Sequence, residues 1–336
     1  MTITLAMATR GDAKTGTLEF VTFNTWNVNE PFQSRIDHAI EGLRAEAPDV
    51  IALQEIYLAG PGVPFRADER IASALHMDRV SHAAAEVPLG DGQAIEGLAL
   101  LSRHPIVSST YETLPTPNGG NGRIVLQGTI STPLGLVDCY VTHLSTNASE
   151  RDEQAQALFA FVQSIPHIQP PVVLGDLNAV PTSLALLFLT GTIPAGGVRG
   201  NLVDGWPLLH PGDPGPTFAT ANAPGQPLDR RFDYVLLGSG TAAQPADGRW
   251  VEMHRVLDQP DGAGIFASDH LGMSATLRFE GEAPPSAKSG GGGCSVAEAP
   301  ADRASTLLAL VVLLVAPGIR RRERSAPGVP CTARIA

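Results

Sequence analysis

Apolar residues in the first 280 positions fall into short runs separated by polar helical stretches and Gly- or Pro-bearing turns, which is the pattern of a sheet-rich α/β chain. Leu18 to Asn24 alternates as a half-buried strand does. Ser34 to Ala47 places Ile36, Ala39, Ile40, Leu43 and Ala47 at helical spacing and stops before Pro48, predicting an amphipathic helix. Val50 to Leu53 is apolar at every position, as a strand covered on both faces requires. Leu98 to Leu101, Ile124 to Ile130, Leu136 to Val141, Val172 to Leu174, Phe232 to Leu237 and Met273 to Phe279 predict further strands. Glu150 to Gln163, with Ala155, Leu158, Phe159 and Val162 on one face, predicts a second helix. No fixed-period repeat and no heptad pattern interrupts this alternation.

The pattern also sets domain boundaries. Residues 1–17 are polar and irregular, and they lack the basic start and apolar run of an export signal. Residues 18–280 carry the strands and helices and form the expected catalytic domain. Pro284 to Ser289 and the four glycines Gly290 to Gly293 then mark a linker over 281–303 that includes Cys294 and cannot build a core. Within 304–324, Ala304 to Pro317 is uncharged and precedes Arg320, Arg321, Arg322 and Arg324. That run is shorter than the roughly 20 residues a straight membrane-spanning helix needs, yet it has no polar face. A membrane-seeking segment with its basic flank on the cytoplasmic side is expected there, followed by a disordered tail over 325–336.

A hydrophobic fraction of 43% against 17% charged residues excludes disorder throughout. Cys139, Cys294 and Cys331 are too far apart for a disulfide framework, and no C-x-x-C pair suggests zinc. Charge is more selective. Residues 1–280 hold 16 Lys and Arg against 30 Asp and Glu, a net −14, whereas residues 281–336 carry a net +3. A surface that acidic repels a long phosphate polyanion, so duplex nucleic acid is disfavoured as a partner.

Candidate chemistry gathers where strands end. Val172 to Leu174 runs through Gly175 into Asp176 and Asn178, a carboxylate and a carboxamide two residues apart and aimed alike, able to hold a water or a phosphoryl oxygen. Val50 to Leu53 runs into Gln54 and Glu55, a lone acid of the kind that suits Mg2+. Phe20 to Asn24 ends in a neutral carboxamide. His143 closes the run from Val137, His270 follows Asp269, and Asp233 opens a strand where it can orient His270; histidine so placed serves as a general acid or base. Each placement alone is compatible with an ordinary loop residue, but together they describe a metal-assisted phosphoester site. No G-x-x-x-x-G-K-[ST] loop, G-x-S-x-G elbow or H-E-x-x-H helix is present.

Read in order, Thr22-Phe23-Asn24, Leu53-Gln54-Glu55, Leu101 to Ile106, Thr142-His143-Leu144, Gly175 to Asn178, Phe232-Asp233-Tyr234 and Ser268-Asp269-His270 resemble the endonuclease/exonuclease/phosphatase superfamily with its DNase I-like fold. The resemblance implies an α/β fold, a four-layer α/β/β/α sandwich of two mixed β-sheets packed face to face with helices outside. It implies a hydrolase in which Glu55 is the principal ligand of Mg2+, with Mn2+ or Ca2+ as other ions, and Asn24 and Asp269 complete the metal and phosphate shell. Asp176 and Asn178 would position the attacking water and the phosphoryl oxygens. His270, held by Asp233, would act as base or transition-state stabiliser, and His143 would protonate the leaving oxygen with Glu96 as its partner. Whether Asp176 or His270 activates the water stays open at this point.

The expected substrate is a phosphoester on a small molecule or lipid headgroup, turned over by a monomer, with a sphingomyelinase-like lipase or a DNase I-like nuclease as alternatives. A non-catalytic binding module on the same fold is the rival of a different class. Finally, Gly290 to Cys294, the apolar run and Arg320 to Arg322 resemble the myxobacterial C-terminal sorting tail, which implies processing at or near Cys294 and display at the cell surface, with membrane contact through 304–324.

Overall fold

The computed structural model describes residues 14–221, 223–239 and 246–281. Alternating inward and outward side chains sort its strands into two sheets. The first is built from β1 (Lys14–Asn24), β2 (Val50–Ala59), β3 (Asp78–Leu89), β4 (Gly92–Ser102), β11 (Trp250–Val256) and β12 (Gly272–Gly281), in the order β11-β12-β1-β2-β4-β3. The second contains β5 (Ile106–Leu114), β6 (Arg123–Thr132), β7 (Gly135–His143), β8 (Val172–Asp176), β9 (Leu202–Asp204) and β10 (Asp233–Gly238), in the order β5-β6-β7-β8-β10-β9. Both are mixed: β1–β2 and β7–β8 pair in parallel, the remaining pairs antiparallel.

Strand periodicity accounts for the layers. Phe20, Val50, Ala52, Leu98 and Leu100 of the first sheet meet Ile124, Leu126, Cys139, Val141, Val172, Leu174 and Val235 of the second in one buried core between the sheets. The alternate residues Val21, Phe23, Ile51 and Leu53 face outward beneath α1 (Phe32–Glu46) and α2 (Ala67–Leu75), which cover them with Ile36, Ala39, Leu43 and Ile71. On the other side, Val125, Tyr140, Val173 and Leu236 are covered by Ala155, Leu158, Phe159 and Val162 of α3 (Ala148–Ser164) and by Leu186 and Phe188 of α4 (Leu184–Leu189). The result is the expected four-layer α/β/β/α sandwich. A strand apolar at every position, such as Val50 to Leu53, is buried on both faces here because it separates the central core from a helix layer.

Two boundaries differ from expectation. β1 begins at Lys14, because residues 14–17 pair antiparallel with Arg278 to Gly281, so the irregular segment ends earlier than residue 17. That same pairing carries β12 one residue past the expected domain end, to Gly281. The linker, apolar segment and tail expected over the remainder lie outside the described residues. Among the described residues, no helix is long and apolar enough to cross a membrane.

A half-buried ion pair ties α3 to the second sheet. His167, just beyond the helix, places Nδ1 2.8 Å from Asp138 Oδ2 on β7 and Nε2 2.8 Å from Val162 O. Burial opposes both charges, but hydrogen bonds from His167, Thr129 and Gln127 hold the Asp138 carboxyl below its usual range. Burial likewise presses His167 down, and its bonds to Asp138 and Val162 O outweigh that and raise it. A raised histidine contributes stability that is complete below its unfolded pKa, about 6.5, and is lost as pH rises through the folded value; the depressed Asp138 contributes above about 4 and is lost on acidification. His167→Ala is therefore expected to cost about 2 kcal/mol at pH 5.5 and less at pH 8.5, measured by urea unfolding; a cost independent of pH would contradict the pairing.

Candidate active site

Strand register brings distant residues to one end of the sandwich. Asn24 lies opposite Gln54 across β1–β2, His143 opposite Asp176 across β7–β8, and Asp233 opposite Asp176 across β8–β10. Gly175 makes the β7–β8 approach possible, since a Cβ there would sit 2.0 Å from Thr142 O. Glu55 follows Gln54 at a register shift in β2 and adopts a left-handed φ of 54°. For a non-glycine residue that conformation costs about 1 kcal/mol. The kink turns its carboxylate out of the ladder and into a cavity of about 630 Å3. Asn178, also left-handed at φ 48°, is turned into the same cavity just after β8.

Six of the nine expected site residues line this cavity: Glu55, His143, Asp176, Asn178, Asp269 and His270. The other three stand behind it. Asn24 donates from Nδ2 to Glu55 Oε1 at 3.0 Å and to Asp176 Oδ2 at 3.1 Å, while its Oδ1 accepts from the Trp26 N–H. Both amide protons are thus given to carboxylates, so Asn24 tethers two acids, while Oδ1 accepts one N–H and keeps a second lone pair. Asp233 accepts from Thr217 Oγ1 at 2.6 Å and lies 2.9 Å from His270 Nδ1, as expected. Glu96 lies 4.0 Å from His143 Nδ1, beside the ring as expected, and Arg123 contacts both, 2.8 Å from Nδ1 and 3.4 Å from Glu96 Oε1.

One buried arginine supports the whole assembly from beneath. Arg35, on the covered face of α1, is 1% exposed and spends all five guanidinium N–H groups on backbone carbonyls. Nε donates to Asn29 O, one terminal nitrogen to Thr25 O and Ala267 O, and the other to Trp26 O and Asn27 O. The clamp fixes the loop after β1, whose Asn27 donates to Glu55 Oε2 at 3.1 Å, and the segment leading into Asp269 and His270. Trp26 and Asn27 are held left-handed within it, at φ 54° and 38°.

The two histidines occupy opposite environments. His270 faces acceptors, with the Asp233 carboxylate at Nδ1 and Asp176 Oδ2 3.7 Å from Nε2. Burial alone would depress it, but Asp233, Asp176 and Asp269 outweigh burial and raise it to about 10. His143 has Arg123 2.8 Å from Nδ1, and near Nε2 both the Asn178 amide nitrogen at 3.1 Å and Asp176 Oδ2 at 3.5 Å. A guanidinium can only donate, so Nδ1 presents its lone pair to Arg123, and burial, Arg123 and His270 together hold this ring well below the ordinary histidine range.

The carboxyls are equally perturbed. Burial, with Asp233 and Glu55 nearby, pushes Asp176 up to about 7 against the pull of His270 and the Asn178 N–H. Burial and Glu55 lift Asp269 to about 6, and burial and Glu55 lift Glu96 to about 7 despite Arg123. This crowding is a demand for positive charge. The cavity is faced by the carboxylates of Glu55, Asp176 and Asp269 with amide and hydroxyl oxygens, two imidazoles and no thiolate, and behind it the buried Oδ1 of Asp233 has no hydrogen-bond partner. Ligand atoms of Asp176, Asp233 and His270 lie within 4.8 Å of one another, though the His270–Asp233 bond already occupies one nitrogen. The chemistry of these donors fits a hard divalent cation.

Sequence patterns did not mark Arg35, Arg123, Asn27 or Thr217, nor the cavity-lining Arg151 and Arg230. Of these, only Arg35 carries a signal in retrospect, as an arginine next to Ile36 on the buried face of an amphipathic helix.

A family model described as the Endonuclease/Exonuclease/phosphatase family matches residues 21–270. Among solved structures, an endonuclease/exonuclease/phosphatase from Beutenbergia cavernae is 28% identical, with 79% of this chain and 72% of that chain covered and a TM-score of 0.61. D. rerio TDP2, complexed with single strand DNA product, is 20% identical over 78% of this chain and 98% of that one, TM-score 0.59. The human Nocturnin catalytic domain, with bound sulfate, is 18% identical over 80% and 97%, TM-score 0.58. A search of curated protein sequences finds no match.

The acceptor environment of His270 has a direct consequence. Its ring should remain protonated at pH 8 in the metal-free protein and titrate near 10, and Asp233→Asn should bring that titration down by more than a unit. Long-range 1H–15N correlation spectra of the histidine rings read this; a wild-type His270 that is neutral at pH 8 would contradict it.

Proposed function

The chain belongs to the endonuclease/exonuclease/phosphatase family, and from that premise we propose that it is a metal-dependent phosphoester hydrolase that uses Mg2+. The observation that carries this reading is the convergence of Glu55, Asp176, Asn178, Asp269, His143 and His270 on one cavity with complementary donors and acceptors. Glu55 and Asp269 would hold the cation, which when bound neutralises charge on the phosphoryl oxygens. Mn2+ and Ca2+ suit the same oxygen donors.

The chain's own groups then divide the work. Asp176, with an affinity for protons near neutrality and a side chain between both histidines, is matched to removing the proton of an attacking water. His270, held as an imidazolium by Asp233, is the group with a proton to give to the departing oxygen. His143 and Asn178 hold the phosphoryl group, the ring kept neutral by Arg123. In-line displacement at phosphorus needs little more than this placement and charge.

The net −14 of residues 1–280 supports a small or lipid-borne phosphoester in preference to a long duplex. A membrane-anchored, surface-displayed location is supported only by the composition of residues 290–324, and fractionation of cells expressing the full chain tests it.

The full chain is expected to hydrolyse bis-p-nitrophenyl phosphate with Mg2+ and to lose that activity in chelator. Asp176→Asn and His270→Ala should each lower kcat by roughly 10²–10⁴ with the fold retained. Mg2+ should raise the melting temperature of the wild type, and less so in Glu55→Gln, because a ligand of the folded state stabilises it. No turnover together with no thermal shift would move the assignment to a binding module.

A further inference from the structure

We propose that the protein associates with a second copy of itself along the free edge of β5, in an antiparallel pairing centred on Thr110, so that a reversible dimer takes the place of the monomer expected from sequence. Nothing in this depends on the chemistry of the cavity.

The two sheets present four edge strands, β11 and β3 in the first, β5 and β9 in the second. An edge strand offers unpaired N–H and C=O groups to any extended chain, and monomeric proteins blunt it with charge, proline, a bulge or shortness. Three of the four edges are blunted. β9 has three residues. β11 carries Glu252, His254 and Arg255 and a register shift between Trp250 and Glu252. β3 carries Asp78, Arg79, Glu86 and Pro88 and a register shift between Ala83 and Ala85. β5 is left open. Val107 to Thr113 is exposed at all seven positions and reads Val-Ser-Ser-Thr-Tyr-Glu-Thr, with no proline, glycine or basic residue and one acid, Glu112. Its register shift lies at its start, between Ile106 and Ser108, after which it pairs residue for residue with β6 as far as Leu114 opposite Arg123. β-Branched and aromatic residues suit a strand, and two of them here, Val107 at 56% exposure and Tyr111 at 44%, leave large apolar side chains facing water.

A second copy suits this edge because the exposed run is its own complement. A two-fold axis through Thr110, perpendicular to the sheet, makes the contact isologous: Val107 faces Thr113, Ser108 faces Glu112, Ser109 faces Tyr111, and Thr110 faces its own copy. That register covers the exposed run from end to end. It sets each Glu112 opposite a serine hydroxyl, keeping the two carboxylates apart, and hydroxyl pairs on the axis favour the contact. His82 of β3 stacks on Tyr111 with ring centroids 3.4 Å apart, so the axis also passes beside β3. Arg79 and Glu86 lie on either side of His82, and the two-fold carries each toward the other's copy, bringing opposite charges together. Elsewhere the net −14 of residues 1–280 repels an identical chain, which confines attraction to this wall. Seven residues span only about 23 Å, so the contact is small and the dimer reversible. The two-fold reverses strand direction and leaves the two cavities open at opposite ends.

Sedimentation velocity of the full chain over roughly 1–100 µM, where small interfaces associate, reads the equilibrium. The expected result is a sedimentation coefficient that rises with concentration from monomer toward dimer, and rises further at about 0.5 M NaCl, which screens the repulsion between acidic copies. Thr110→Lys sets two ammonium groups against each other on the axis and should leave the chain monomeric throughout, with an unchanged melting curve. Thr110→Cys should form a disulfide-linked dimer under mild oxidation, beyond any that the wild-type cysteines give, since directly opposed residues of an antiparallel pair stand within disulfide reach. A wild type that is monomeric at the highest concentration in both salts would overturn the proposal and leave the edge to a partner of another kind. Association that persists in Thr110→Lys would overturn it by placing the contact on another surface, and so would a Thr110→Cys variant no more crosslinked than the wild type.

Discussion

Four carboxylates, Glu55, Asp176, Asp233 and Asp269, meet at the ends of strands and loops around one cavity, and the surrounding structure is arranged around that repulsion. Left alone they would not stay ionised together. Each is countered by a hydrogen-bond donor. Asn24 spans Glu55 and Asp176, Thr217 and His270 satisfy one oxygen of Asp233, the Asn178 N–H holds Asp176 at 2.8 Å, and Ser268 reaches Asp269 at 3.2 Å. None of these donors but His270 carries charge. The balance is left incomplete, and an incomplete balance of negative charge facing a cavity is the physical basis for reading a cation site there.

Arg35 solves the mechanical half of the same problem. Acids that repel one another drift apart unless the backbone that carries them is fixed. Five N–H···O=C bonds from one buried guanidinium fix both the 25–29 loop and the approach to Asp269. An arginine buried without a directly bound carboxylate costs desolvation, and here it is offset by carbonyl dipoles together with the field of Asp269, Glu30 and Glu55, which partly restores its affinity for the proton. The central acid cluster and the buried base therefore stabilise each other across a layer of backbone, with no ion pair between them.

The strands that were legible in the sequence are those with a buried face. β1, β2, β4, β6, β7, β8, β10 and β12 each place apolar residues in a core, and their alternation or continuous apolar run announces it. β3, β5, β9 and β11 were not legible, and all four are sheet edges. Ser108 to Thr113 is exposed at every position, and β3 carries Arg79, Ser81, His82 and a run of alanines that mark no face. Such strands form because a partner presents an open ladder. In the candidate site, the residues at strand ends were legible since strand geometry aims them. Arg123 and Arg151 were not, because an arginine in a cavity and one on the surface look alike in sequence until the fold shows whether an acid lies within reach.

The roles of the two histidines illustrate the remaining gap. In sequence both are histidines near strand ends with acids nearby, and only the resemblance separates their roles. In three dimensions the difference is which atoms face the ring. A carboxylate at Nδ1 can only accept, so His270 is a donor on both sides; a guanidinium at Nδ1 can only donate, so His143 must offer a lone pair. On the proposed reading, with His270 charged and Asp176 Oδ2 within 3.7 Å of both Nε2 atoms, the proton leaving the water and the proton reaching the departing oxygen would have separate carriers. Arg123, in contact with both His143 and Glu96, disfavours the charged form of His143.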